Sequence, residues 1–292
     1  MSLSPAPLGG AAAAAQGVEP GLALAIASAL ALLGYIWIGL LRARVVDGAP
    51  AARRPMRSVP PMALAWTAQF VALYLDISGY GLATPGARFG FAPALSMTMW
   101  LVLTVYLVES RFLPLHSVRR VLAWLAAAAV LLAWSFPGES RPLAASPWAP
   151  LHWVLGLASY GLFGVAVLHA ALLNRAEQQM RRRQPTPGGL PLLQLERLTF
   201  QFVAAGVGVL SLAILLGWWF TPHWKWDHKN LLAVLGWLVL TGLLVGRRLY
   251  GWRGRRATRW LYAGAGLLLL SYAGSRFVLE VILQRAVAGG GA

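Results

Sequence analysis

Eight apolar stretches of roughly 18 to 23 residues, separated by gaps that hold most of the arginines, dominate this sequence. They cover residues 21–41, 61–80, 91–108, 119–136, 151–173, 199–219, 229–246 and 260–282. A helix of about 20 mostly apolar residues crosses the ~30 Å hydrocarbon core of a bilayer. Only helices and closed barrels satisfy every backbone polar group in lipid, and uninterrupted runs of this length predict helices. The fourth stretch has the shortest charge-free core. Composition points the same way, with 58% hydrophobic and 12% charged residues, where soluble domains average about 25% charged. That deficit excludes disorder, a coiled coil and an ordinary cytosolic enzyme. The expected fold class is all-α: a polytopic membrane protein with eight transmembrane helices.

The net charge of +16 resembles that of a nucleic-acid binder only until the arginines are placed. The gaps after spans one, three, five and seven, with Arg119 and Arg120 at the edge of span four, hold 19 of the 25 basic residues, and the opposite side, with Lys229 at the edge of span seven, holds 5. Such a bias puts the arginine-rich gaps in the cytoplasm and both termini outside. The charge is topology, and no nucleic-acid partner is expected. The chain has no cysteine, which excludes thiolate metal sites, disulfides and a cysteine nucleophile. Residues 1–20 are expected as a disordered outer tail, 21–283 as the membrane domain and 284–292 as an outer C-terminal tail. The segment MRRRQPTPGGLP (180–191) reads as a linker, since proline and glycine break the helix. No internal repeat is evident, which argues against an inverted-repeat transporter.

Polar residues gather at the predicted outer face. Asp76 closes span two, His152 opens span five, and Arg276 and Glu280 lie near the end of span eight. Between spans six and seven runs GWWFTPHWKWDHKN (217–230). Four of the 14 tryptophans, Trp218, Trp219, Trp224 and Trp226, fall there beside His223, Asp227 and His228. One interfacial tryptophan is an ordinary membrane belt. Four of them with imidazole and cationic groups suit a planar, apolar, anionic ligand such as haem, with iron taken by imidazole and propionates by lysine or arginine.

For His152 two readings stand, an iron ligand and an interfacial histidine hydrogen-bonded to a loop carbonyl. Gly156, Ser159 and Phe163 follow it on one helical face. His223, His228 and Asp227 match no standard zinc spacing. His169 lies about 25 Å further along span five and reads as an inner-interface or interhelical residue, while Arg276 and Glu280 are spaced either to pair with each other or, with Arg276 as a cofactor-binding residue, to contact the ligand. No phosphate loop, paired carboxylates or HExxH motif appears, so no catalytic residue is nominated. A transport role would need charges deep in the bundle, whereas Asp76, Arg276 and Glu280 lie towards one face.

Five short segments carry a resemblance: LHWVLGLASY (151–160), LPLLQLERLTF (190–200), WKWDHK (224–229), GWRGRR (251–256) and YAGSR (272–276). In this order, over about residues 148–283, they resemble the cytochrome c assembly family of haem-handling membrane proteins (CcsA/CcmC/HemX-like), and within it the eight-span YpjD-type inner-membrane branch. The resemblance implies an outer tryptophan-rich haem platform of Trp218, Trp219, Trp224, Trp226 and Asp227. It further implies haem b as cofactor, His152 as ligand of the haem iron, and a bacterial inner (plasma) membrane location.

Two departures are visible. His228, Lys229 and Asn230 stand where the family's fuller platform has a glutamate, and no histidine follows the last span. A sixth iron position would then be open or taken by His223 or His228. The expected architecture is an outward-facing pocket built from spans two, five, six, seven and eight. The expected role is to hold or present haem at the outer face during cytochrome c or haem-protein biogenesis, with biogenesis proteins as partners and no bond broken by this chain. The alternative is a HemX-like regulatory or scaffolding protein of tetrapyrrole synthesis, whose basic inner loops dock a cytosolic enzyme or membrane lipids.

Overall fold

A computed structural model describes residues 10–41, 59–79, 87–112, 118–141, 148–182, 192–220 and 226–278. Among these run eight long helices: α1 (Gly10–Leu40), α2 (Val59–Ser78), α3 (Phe91–Glu109), α4 (Arg119–Ser135), α5 (Ala149–Arg181), α6 (Leu192–Phe220), α7 (His228–Tyr250) and α8 (Gly254–Leu269). Helix α8 continues through a π-helical turn, Leu270–Gly274, into a final turn, α9 (Ser275–Phe277). A short antiparallel ribbon pairs β1 (Ala87–Phe89) with β2 (Glu139–Arg141), with Arg88 opposite Ser140.

Each long helix overlies one predicted span. Five of them, α1 from Gly21, α3, α5, α6 and α7, are long and apolar enough to cross a membrane. The protein is an all-helical polytopic membrane protein. Helix α4 has 17 residues, about 25 Å at 1.5 Å per residue, short of the ~30 Å core as its sequence suggested.

The ends differ from expectation for one physical reason: hydropathy marks the part of a helix that lipid covers, not the helix itself. Helices α5 to α8 all run further into the arginine-bearing segments than the apolar stretches do, because Arg, Glu and Gln are good helix formers. The first helix also starts ahead of its apolar stretch. Helix α1 begins at Gly10, since Ala11–Ala15 carries the strongest helix propensity of any residue type. Of the expected linker, Arg181 ends α5 and residues 183–191 lie outside the described residues, as do Glu280 and the tail 284–292.

The chain divides into two compact units, Met1–Ser96 with Arg120–Leu143, and Met97–Arg119 with Ala144–Ala292. In the first, the Tyr35 hydroxyl donates to Gln69 Oε1 (2.7 Å), and Gln69 Nε2 donates to the carbonyl and hydroxyl of Ser96 (3.1 Å each). This buried chain spends the polar groups of α1, α2 and α3 on one another, as a medium without water demands. Asp76, near the end of α2, pairs with Arg88 at 3.2 Å, and Arg88 Nε donates to the Gly138 carbonyl at 3.0 Å. The arginine thereby ties α2 to the ribbon.

The second unit is built on small residues. Lipid supplies no hydrophobic drive for helices to associate, so backbones must approach closely enough for dispersion contacts to hold them. On α6, a Cβ at Gly206 would stand 2.6 Å from the Phe163 ring of α5, and one at Gly264 on α8 would stand 2.5 Å from Leu240 of α7. Phe163, Val203, Val207, Leu210, Leu240, Leu243, Leu261 and Leu268 form the shared core. Buried His169 pairs through Nε2 with Glu109 Oε2 (2.9 Å) at the end of α3, the interhelical role expected of it. The Trp237 indole donates to Ser211 Oγ at 2.8 Å.

This packing predicts an asymmetry between two glycines of one helix. Gly206→Val forces a side chain into the Phe163 ring and should destabilise by about 1–3 kcal/mol. Gly208→Val meets nothing within 4 Å and should leave stability nearly unchanged. Thermal unfolding of the detergent-solubilised protein, followed by size-exclusion fluorescence, separates the two.

Candidate functional site

His152 stands in the first turn of α5, which begins at Ala149 with proline next in line. Its ring is seated on α6 by three residues of one helical face. The Ala213 carbonyl accepts from Nδ1 at 2.9 Å. At Gly217 a Cβ would stand 2.8 Å from the ring's Cε1, so the imidazole rests on bare backbone. Phe220 meets the ring edge-on, with centroids 5.7 Å apart and planes at 77°. The spacing of 213, 217 and 220 is the i, i+4, i+7 repeat of one face.

The chemistry of this seat lies in the tautomer. A carbonyl can only accept, so Nδ1 carries the hydrogen, and in the neutral imidazole the lone pair is then on Nε2. No described residue hydrogen-bonds Nε2. A ring held through Nδ1–H by a backbone carbonyl is the usual second support of a metal-ligating histidine. One turn along α5, nothing stands within 4 Å of where a Cβ at Gly156 would be, so a ligand reaching His152 meets no side chain there. An imidazole so supported, with Nε2 left as the donor, is of the kind that a haem iron accepts.

The start of α7 and the π turn of α8 form a second polar group in the same unit. Asp227 is the N-cap of α7, its carboxylate accepting from the Asn230 N–H at 2.8 Å. Ser271 in the π turn donates to the Lys229 carbonyl at 2.9 Å. The Lys229 ammonium lies 5.5 Å above the Tyr272 ring, which packs against Tyr160 of α5. The π turn therefore clamps the first turn of α7. Arg276 follows one turn later, in α9.

The structure brings His152 together with Gly217 and Phe220 but not with the neighbouring tryptophans. Trp218 and Trp219 are 64% and 79% exposed. At about 100° per residue, Trp219 is on the far side of α6 from Gly217. Trp226 is also exposed, as is His228, the first residue of α7. His223 and Trp224 lie outside the described residues. Among the described residues, no three His, Cys, Asp or Glu side chains gather to hold a metal ion.

Residues 65–283 match the family described as Cytochrome C assembly protein. The chain belongs to this family. The match reaches further towards the N-terminus than the five motifs, which begin near residue 148. An inner membrane protein of Escherichia coli, YpjD, is 34% identical over 149 residues, 48% of this chain and 55% of the relative. The cytochrome c biogenesis protein CcsA of Synechococcus sp. (strain JA-3-3Ab) is 31% identical over 107 residues, 32% of this chain and 31% of the relative. CcsA of Synechococcus elongatus is 29% identical over 122 residues, covering 40% and 34% respectively. The chain thus spans about half the length of the YpjD relative that it matches and about a third of the CcsA proteins. No solved structure matches it.

Sequence reasoning passed over the residues that seat the histidine. Ala213, Gly217 and Phe220 carry a detectable signal, a small-small-aromatic face at the end of span six opposite the start of span five. The π turn carries none. Asp227, expected in a haem platform, has a local role. Asp227→Ala should cost about 1 kcal/mol of stability through the lost cap, while Asp227→Asn, an equally good N-cap, should retain it. Thermal melts of the two variants in detergent read the difference directly.

Proposed function

We propose that this protein binds haem b at the outer face of a bacterial inner membrane and holds or presents it during cytochrome c or haem-protein biogenesis, with His152 as ligand of the iron. The observation that carries this reading is the seat of His152: Nδ1 is held by the Ala213 carbonyl at 2.9 Å, leaving Nε2 for the iron. Membership in the cytochrome c assembly family supports it, as do relatives named for cytochrome c biogenesis. The outer placement rests on the bias of arginines to the opposite gaps, and with it both termini are outside.

When bound, the haem iron would supply the coordination chemistry of the site, and the protein's residues hold it in place. Ala213, Gly217 and Phe220 fix the ring so that Nε2 keeps one direction. Trp218, Trp219, Trp224, Trp226 and Asp227 form the proposed platform. Lys229 and Arg276 are the cations proposed for the propionates, and His223 or His228 would fill the sixth position if it is filled. No nucleophile or paired carboxylate is assigned, so the protein breaks no bond, and a biogenesis partner with thiols carries out attachment. A scaffolding role without haem draws on a specific observation as well: Asp227 is already engaged as a helix cap, and Trp219 lies on the far side of α6 from His152.

The visible spectrum of the detergent-purified protein, oxidised and reduced, decides between them. Haem binding predicts a Soret band at near-stoichiometric intensity that weakens or shifts in His152→Ala, and likewise in Gly217→Leu, which displaces the ring without touching the ligand atom. A colourless protein that takes up no added haem would sink this reading in favour of the scaffold.

A further inference from the structure

Two of the family-marking segments have no part in the haem reading, and they meet at the other end of α6 and α7. Glu196, from LPLLQLERLTF, stands 3.8 Å from Arg247 and 3.7 Å from Arg253 of the α7–α8 corner. The Arg247 guanidinium lies 3.5 Å above the centroid of the Phe200 ring, one turn beyond Glu196. Gly251, in the left-handed region at φ 64°, ends α7 and turns the chain back. Trp252 then lays its indole on the bare backbone of Gly246, where a Cβ would stand 2.6 Å away. Tyr250 and Trp260 each stack with this indole, at 6.3 and 6.1 Å between centroids, and Arg256 covers it at 4.4 Å.

Two of the arginines here, Arg247 and Arg256, lie over aromatic faces. Stacking on Phe200 and Trp252 fixes the planes of two guanidinium groups. Glu196 approaches two of them at distances longer than the ~2.7–2.9 Å of a charge-assisted hydrogen bond, so their N–H groups are not consumed. Arg247 Nη1 is buried with no hydrogen-bond partner. Six arginines lie between residues 247 and 259, with Glu196 the acid that touches them. The apolar stretch 229–246 ends one residue before Arg247, so the cluster stands at bilayer-surface depth, and Leu249 and Tyr250 beside it are 70% and 74% exposed.

The geometry points to a binding site for the phosphate headgroup of an anionic phospholipid, with Arg247, Arg253 and Arg256 as its donors and the Tyr250–Trp252–Trp260 stack as its interfacial wall. A phosphodiester accepts paired N–H groups from planar guanidinium forks. An anionic leaflet adds about 1 kcal/mol of attraction per arginine. Charge alone would produce a diffuse effect shared by every basic segment; stacked guanidinium groups predict a local one.

The test is a lipid titration of the full-length protein in detergent micelles, read by tryptophan fluorescence and by native mass spectrometry. Phosphatidylglycerol should bind about tenfold more tightly than phosphatidylcholine, in line with one to two arginine contacts. The variant Arg253→Gln/Arg256→Gln, whose side chains are exposed and whose elution profile checks folding, should lose that preference. Arg253→Lys/Arg256→Lys should recover less than half of it, and Arg181→Gln/Arg182→Gln, removing equal charge from the end of α5, should keep it. Equal loss in the α5 variant would overturn the site in favour of diffuse attraction. Full binding by the lysine pair would overturn the stacked geometry, and millimolar inorganic phosphate displacing the lipid would assign the site to a free anion. None of these readouts depends on haem.

Discussion

The second unit depends on how closely α5 and α6 can approach where α6 has no side chain. Phe163 packs into Gly206 and His152 rests on Gly217. Both pairs lie eleven residues apart on antiparallel neighbours, three turns along each helix, so one register produces both contacts. In lipid this matters more than in water, because close packing has to replace the missing hydrophobic drive. The interaction that holds the helices together is thus also the one that seats the imidazole. A slip of one residue between α5 and α6 would unseat both.

Polar groups inside the bundle follow the same economy. Gln69 is spent on Tyr35 and Ser96, His169 on Glu109, and Trp237 on Ser211. Leaving a buried donor or acceptor in such a place without its partner costs about 1–3 kcal/mol. His152 differs in kind, since one of its nitrogens is engaged and the other is not. That contrast separates it from His169, although both are histidines of the same helix.

The spans were legible because their signal is compositional: a run of apolar residues in a chain this poor in charge has few alternatives. Helix ends were not, since Arg175–Arg181 is polar and yet helical, and hydropathy records lipid contact rather than backbone hydrogen bonding. His152 was legible as a polar residue in an apolar run, but its two candidate roles were not separable from sequence. The tether to Ala213 crosses 61 positions, and no local pattern reports it. Asp227 shows a local role that its own neighbours encode. Its capping of Asn230 is written in four consecutive residues, yet the surrounding tryptophans drew attention to a ligand. The cluster around Arg247 was visible only as charge, because Glu196 and Phe200 come from one stretch and Trp252 from another, 52 positions on.

The π turn at Leu270–Gly274 has a geometric consequence for everything after it. A widened turn accommodates one residue more than an α turn does, so the residues beyond Gly274 are out of phase with α8 by about 100°. A wheel drawn from Gly254 onward therefore assigns the last turn to the wrong side of the helix. The two ends of this helix are in effect independently addressed: one keeps step with the arginine corner, the other with the start of α7, and a single inserted position separates their bookkeeping.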